Sequence, residues 1–526
     1  MAFSKTAKTI AASLAAVGVT AASIAYGTTA AFAETQRRQD PTLVDTDLGA
    51  LQGAADGGVR SWLGVPYAAP PVDELRWASP EPADSWEGVR EATEFGNVCS
   101  QGQANMPGIP SLDEDCLYLN VYAPEQARDD LPVMVWFHGG GNSYGAGEQY
   151  DPSRLVAEGD TVVVTVNYRQ GLFGSMAHPA LDEGGETTSG NYGLEDQQAA
   201  MRWIGENAEA FGGDADNVTI FGESGGGFDV CAHLASESSA DLFDKAIAQS
   251  APCGSGWAPS RAEGQARDIA VADELCPEVE DVEACLRGLD AEELNTATAG
   301  LYEVQPVVGG PVMPVATADA IASGDLNEVP VLIGINRDEN QLMTGGMEVL
   351  TGHVMTDEEY LPALVDQFGP EAADAINAEY PLSDYDHPAK ALAAVQTDAD
   401  WAANLSDTVA ALSEHVPTYA YEVSASGTPY FKEFEAPSWE MDAFHMVDVA
   451  FLFDTTIFAD RSAEVEPLAD LMVKSWSTFA RTGDPDDRGR WNEAEGDCVR
   501  QLSPEGARNI DFADEHHLDF WKSLNA

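Results

Sequence analysis

Val218-Thr219-Ile220-Phe221, four residues suited to a buried strand, lead directly into Gly222-Glu223-Ser224-Gly225-Gly226, and the stretch Gly225–Leu234 that follows reads as a helix. A strand that becomes a helix without an intervening loop must bend sharply, so residues beside the bend have to lack bulky side chains. Such junctions belong to chains in which helices cover a parallel sheet. The rest of the sequence keeps the same rhythm. Apolar runs at Val133–Phe137, Thr161–Asn167, Lys245–Ala248, Val329–Ile335 and Thr418–Val423 alternate with longer helical patterns such as Tyr192–Phe211. The expectation is an α/β fold, a mostly parallel central sheet with helices on both faces. At ~150 residues per domain the length would allow about three domains. No repeat, low-complexity linker or Pro/Ser-rich hinge interrupts the chain after its N-terminal segment, so residues 34–526 are expected to form one large domain, with 345–401 as helical decoration.

The first 33 residues have the layout of a secretory signal peptide: Lys5 and Lys8, then an Ala/Val/Ile-rich stretch, then Ala31-Phe32-Ala33. Cleavage after Ala33 would release a secreted, extracellular chain; the alternative is an uncleaved anchoring helix. No later run approaches the ~18 apolar residues that span a bilayer. Export permits disulfides, and spacing offers two local pairs, Cys99 with Cys116 and Cys276 with Cys285, leaving Cys231, Cys253 and Cys498 unassigned. The chain carries 89 acidic against 26 basic residues, a formal charge of -63. That charge repels phosphate backbones and anionic lipid, which excludes nucleic acid and electrostatic membrane docking as partners. It also implies a strongly acidic surface suited to saline surroundings, where salt screens self-repulsion.

The bend at residues 222–226 is the context of a nucleophile elbow, which raises the Ser224 hydroxyl at the sheet's C-terminal edge over a helix N-terminus. His138-Gly139-Gly140-Gly141 follows the strand Val133–Phe137, where an acyl-transfer enzyme needs backbone N–H groups aimed at an oxyanion. His138 precedes the serine and is read as structural. Seven histidines follow Ser224: His233, His353, His387, His415, His445, His516 and His517. Order alone does not choose among them. His233 is expected to pack on the helix, His353 and His387 lie in the decoration, and His516 and His517 belong to a polar tail. His445 lies in a loop region after a strand, the favoured place for catalytic groups in open α/β sheets, whereas His415 precedes one.

Phe211-Gly212-Gly213 and Val218–Gly226 together resemble the serine signature of the type-B carboxylesterase family, which includes cholinesterases and bacterial para-nitrobenzyl esterases; Glu114-Asp115-Cys116-Leu117-Tyr118-Leu119-Asn120 resembles its second signature. The resemblance extends through Asn167-Tyr168-Arg169, Asp196-Gln197, Gln249-Ser250 and Phe479–Pro485. It implies an α/β-hydrolase fold and a triad of Ser224, His445 and Glu339, with Asp338 as the rival acid. It implies an oxyanion hole of the Gly140, Gly141 and Gly225 N–H groups, and a carboxylate, Asp448, three residues after the histidine. By the same resemblance Glu223 lies near the histidine, Ser250 supports the acid or base, and Trp257 is either an acyl-pocket residue or ordinary core. Three departures stand out. Met446 occupies the position after the histidine where the family often has glycine; Asn142 replaces an aromatic after the glycine loop; and Met106 stands where choline-selective relatives carry tryptophan, which argues against choline esters. The expected activity is that of a secreted serine carboxylesterase acting on small-molecule esters, with no metal or organic cofactor. Its rivals are a lipase or polyester hydrolase of the same fold, told apart by activity on emulsified substrates, and a non-catalytic cholinesterase-like binding protein, against which the intact triad residues argue.

Overall fold

The computed structural model describes residues 40–102, 108–126, 128–182, 188–297, 304–494 and 498–524; the expected signal peptide, residues 1–33, and Met106 lie outside them. Eleven strands form the main sheet: β1 (Ala54–Asp56), β2 (Val59–Pro66), β3 (Tyr118–Pro124), β4 (Leu131–Phe137), β5 (Val162–Val166), β6 (Gly213–Glu223), β7 (Lys245–Gln249), β8 (Val331–Asn336), β9 (Thr418–Val423), β10 (Cys498–Ser503) and β11 (Gly506–Asp511). Their spatial order is β1-β2-β3-β5-β4-β6-β7-β8-β9-β10-β11. The seven strands from β5 to β10 in that order run parallel, and the antiparallel strands sit only at the two edges. This is the α/β-hydrolase arrangement.

Parallel central strands are buried on both faces, so their residues serve two cores. In β4, Val133, Val135 and Phe137 enter one core, while Met134 and Trp136 enter the other. Helices α1 (Tyr192–Phe211) and α2 (Gly225–Leu234) cover the first face with Met201, Ile204, Val230 and Leu234. The decoration contains α3 (Gln341–Thr351), α4 (Asp357–Phe368), α5 (Pro370–Glu379) and α6 (Pro388–Gln396), and is followed by α7 (Ala403–Leu412). Helix α8 (Glu466–Thr482) closes the second face with Met472, Val473, Trp476 and Phe479.

Strand β8 starts at Val331 instead of Val329, because Pro330 has no N–H for the ladder. Both spacing-based disulfides are present, Cys99–Cys116 and Cys276–Cys285. Cys231 on α2 pairs with Cys253, leaving Cys498 free and exposed. One expectation is overturned. His516 is no part of a polar tail: it is 2% exposed, because Asp398 and Glu422 contact its two ring nitrogens at 2.5 Å each. Among the described residues no helix is long and apolar enough to cross a membrane.

Candidate active site

The parallel register brings the ends of four strands to one edge. Gly222 lies opposite Phe137, Glu223 opposite Gln249, and Gln249 opposite Gly334. The loops leaving β4, β6, β7 and β8 therefore open together, at the carboxyl edge where open α/β sheets build their sites.

Ser224 sits at φ 54°, ψ -122°, a backbone shape that costs free energy for any residue with a side chain, and caps the N-terminus of α2. Its neighbours permit the bend. A Cβ on Gly222 would stand 2.4 Å from the Gly226 carbonyl oxygen, and one on Gly226 2.0 Å from that of Phe137. The Ser224 N–H donates to the Gln249 carbonyl at 3.0 Å, tying the elbow to β7.

His445 Nε2 lies 2.9 Å from Ser224 Oγ, and its Nδ1 lies 2.6 Å from Glu339 Oε2. With the proton on Nδ1 held by Glu339, Nε2 is left to accept from the serine hydroxyl. Glu339 is fully buried, and its other oxygen accepts from Ser250 Oγ at 2.6 Å and from the Asn336 N–H at 2.7 Å. Asp338 faces elsewhere. Its carboxyl accepts from the Ala443 N–H, and burial raises its pKa to about 7.

The histidine loop is fastened by Asp448, which accepts from Gln249 and from Asn336. Met446 adopts φ 68°, the left-handed shape that glycine takes freely. Glu223 Oε1 lies 3.3 Å from His445 Nε2 without a hydrogen bond; burial opposes ionisation of this carboxyl, and the imidazolium beside it favours the carboxylate. Burial alone would lower the pKa of His445; the carboxylates of Glu223, Glu339 and Asp448 outweigh it and lift the imidazole to about 9.

Opposite the serine, Gly140 and Gly141 have φ of 111° and 58°. A Cβ on Gly225 would come within 2.7 Å of the Gly141 nitrogen, so the two backbones approach only because Gly225 has no side chain in the way. The Gly225 N–H opens α2 and has no acceptor within its own helix.

Trp257 is half-buried, stacks on Phe228 at 5.2 Å and packs beside Leu194, Ala232, Val312 and Met313. Phe228 is four residues past Ser224, and its N–H donates to the Ser224 carbonyl at 2.9 Å, one turn along α2 from the nucleophile. The sequence reading missed Trp401, whose ring stands 5.0 Å from that of His445. No local pattern separates it from a packing tryptophan; only the fold brings it to the site.

The profile of the carboxylesterase family matches residues 40–521. The para-nitrobenzyl esterase of Bacillus subtilis (strain 168) is 34% identical over 467 residues, covering 84% of this chain and 90% of the relative. The fumonisin B1 esterase of Sphingopyxis macrogoltabida is 39% identical over 368 residues, 66% of this chain and 65% of that one. Among solved structures, a thermophilic para-nitrobenzyl esterase superposes with a TM-score of 0.74 at 31% identity, spanning 91% of this chain and 99% of its own. With a matched profile over nearly all of its described length, and close relatives that are esterases, the chain belongs to the carboxylesterase family and is a carboxylic ester hydrolase.

Proposed function

We propose that this hydrolase works through a covalent acyl-enzyme on Ser224, with His445 as base and Glu339 as the carboxylate that orients it. The observation that carries this reading is the unbroken hydrogen-bonded line from Ser224 Oγ through both nitrogens of His445 to Glu339. In the first step the Ser224 oxygen attacks the ester carbonyl while its proton passes to His445 Nε2. The carbonyl electron pair moves onto oxygen, facing the N–H groups of Gly140, Gly141 and Gly225. Collapse expels the alcohol, which takes the proton from the imidazolium. Water repeats the sequence on the acyl-enzyme, releasing the acid and restoring the serine. Glu339 keeps its negative charge throughout, holding the tautomer and stabilising the imidazolium. Each of these steps is assigned to the chain's own groups and a small-molecule ester.

The reading includes export: a signal peptide cleaved after Ala33, then one hydrolase domain over residues 34–526 that acts outside the cell. The three disulfides support an oxidising compartment. A Ser224→Ala variant tested on a short-chain chromogenic ester should lose activity by several orders of magnitude while remaining folded; retained turnover would refute the nucleophile.

A further inference from the structure

Three consecutive residues of the glycine loop, Gly140, Gly141 and Asn142, adopt positive φ, 111°, 58° and 55°. A loop of this composition has many conformations open to it. Stabilising a developing oxyanion requires donors that are already fixed before the reaction begins. Something outside the loop must pin it.

Asn142 is 5% exposed. Its amide group donates to Asp229 Oδ1 at 3.0 Å and to Gln305 Oε1 at 3.4 Å; Gln305 Nε2 donates back to the Gly141 carbonyl at 3.1 Å. The Asn142 carbonyl accepts from the Gly171 N–H at 2.6 Å. Asp229 is fully buried on α2, five residues after Ser224. The helix that presents the nucleophile thus also grips the loop that faces it.

The partner's orientation is fixed from behind. Gln197 Oε1 lies 2.8 Å from His233 Nε2, so the Gln197 NH₂ group faces Asp229 Oδ2, at 2.7 Å. Burial holds His233 down to about 3, neutral at working pH, with Nδ1 facing Ser239 Oγ. Both Asp229 oxygens therefore receive amide donors, one from the loop and one from α1. Burial raises the pKa of Asp229 to about 7 against the pull of these same donors, and above that value only the carboxylate satisfies both; an amide in its place would set NH₂ against NH₂ on one side.

We propose that Asp229 is a positioning residue for ester hydrolysis, holding Asn142 so that the Gly140 and Gly141 N–H groups stand fixed opposite Gly225 and the Ser224 hydroxyl. It touches no substrate atom and acts through Asn142. The proposal rests on the oxyanion-hole reading above.

The test is a double-mutant cycle on the full chain, read with a short-chain ester and a trifluoromethyl ketone, which adds to the serine and places an oxyanion among the donors. Asp229→Asn should lower kcat and ketone affinity together by about ten- to a hundredfold, the scale for sub-ångström to ångström misplacement, with KM nearly unchanged. In an Asn142→Ala background the same substitution should cost almost nothing, because the new amide can turn its NH₂ into the vacated space. Equal losses in both backgrounds would overturn the pairing, as would a loss confined to thermal stability. Should Asp229→Asn fail to fold, Asn142→Ala alone must show the parallel loss in kcat and ketone affinity; unchanged values would refute the proposal. A wild-type enzyme that bound the ketone no more tightly than substrate would instead bring down the acyl-transfer reading, and this proposal with it.

Discussion

Glu339 and Asp338 are adjacent in sequence and equal in charge, yet their carboxyls face different partners, the imidazole and the Ala443 N–H. Glu339→Gln should lower kcat by about 10⁴, the scale seen when a triad carboxylate loses its charge. Asp338→Asn should retain most activity, since it perturbs only the loop before the histidine. Near-wild-type rates in both variants would reject Glu339. The imidazole sets the pH profile. It must be neutral to accept the serine proton, and its pKa is raised to about 9, so kcat/KM should climb with pH along a limb well above the ordinary histidine value of 6.5. Glu223 and His445 titrate as a pair, so Glu223→Gln should move that limb to lower pH. A rate independent of pH down to 4, or a limb unmoved by the substitution, would contradict this account. Of these residues, Ser224 was legible from its strand and glycines. His445 and Glu339 were not legible from local pattern, because 106 residues separate partners that only the sheet's edge brings together. The resemblance supplied them. Trp401 and the Asn142–Asp229 contact had no such guide, since a tryptophan or a buried acid acquires its role solely from what the fold sets beside it.

At the scale of elements, the central strands and the elbow helix were readable because they are continuous apolar runs, while β1, β2, β3, β10 and β11, towards the two edges, were not. Arg60, Ser61 and Asn120 interrupt the apolar runs of β2 and β3, and the short, partly exposed β1, β10 and β11 leave little periodic signal. The cysteines divide in the same way. Cys99–Cys116 and Cys276–Cys285 are near in sequence, whereas Cys231–Cys253 joins α2 to the segment after β7. Replacing Cys231 and Cys253 by alanine should cost about 3 kcal/mol on the chain-entropy model for a loop of this size, seen as a lower denaturant midpoint; an unchanged midpoint would count against a stabilising role. His516 links elements more strongly. Burial opposes its charge, but the hydrogen bonds and charges of Asp398 and Glu422 prevail, raising it to about 10. A raised pKa means that its stabilisation is full below about 6.5, the unfolded value, and is lost as pH climbs through about 10. His516→Gln should therefore destabilise by roughly 3–5 kcal/mol at neutral pH, the cost of stranding a buried partner, and by much less above pH 10. Equal losses at pH 7 and pH 10.5 would refute the charged state.

Over the whole molecule, the formal charge of -63 makes self-repulsion a general term in stability. Raising salt from dilute buffer to molar concentration shortens the Debye length from tens of ångströms to about 3 Å, so the melting temperature should rise with ionic strength. Indifference to salt would remove the argument for adaptation to saline surroundings. Every part of the proposed chemistry converges on one oxygen atom, and the most direct test reacts with that atom alone. Incubation with an organophosphate followed by peptide mass mapping should find a single phosphoryl adduct on Ser224, formed in step with loss of esterase activity. Complete inactivation with the label on any other residue, or full activity with Ser224 modified, would contradict the account.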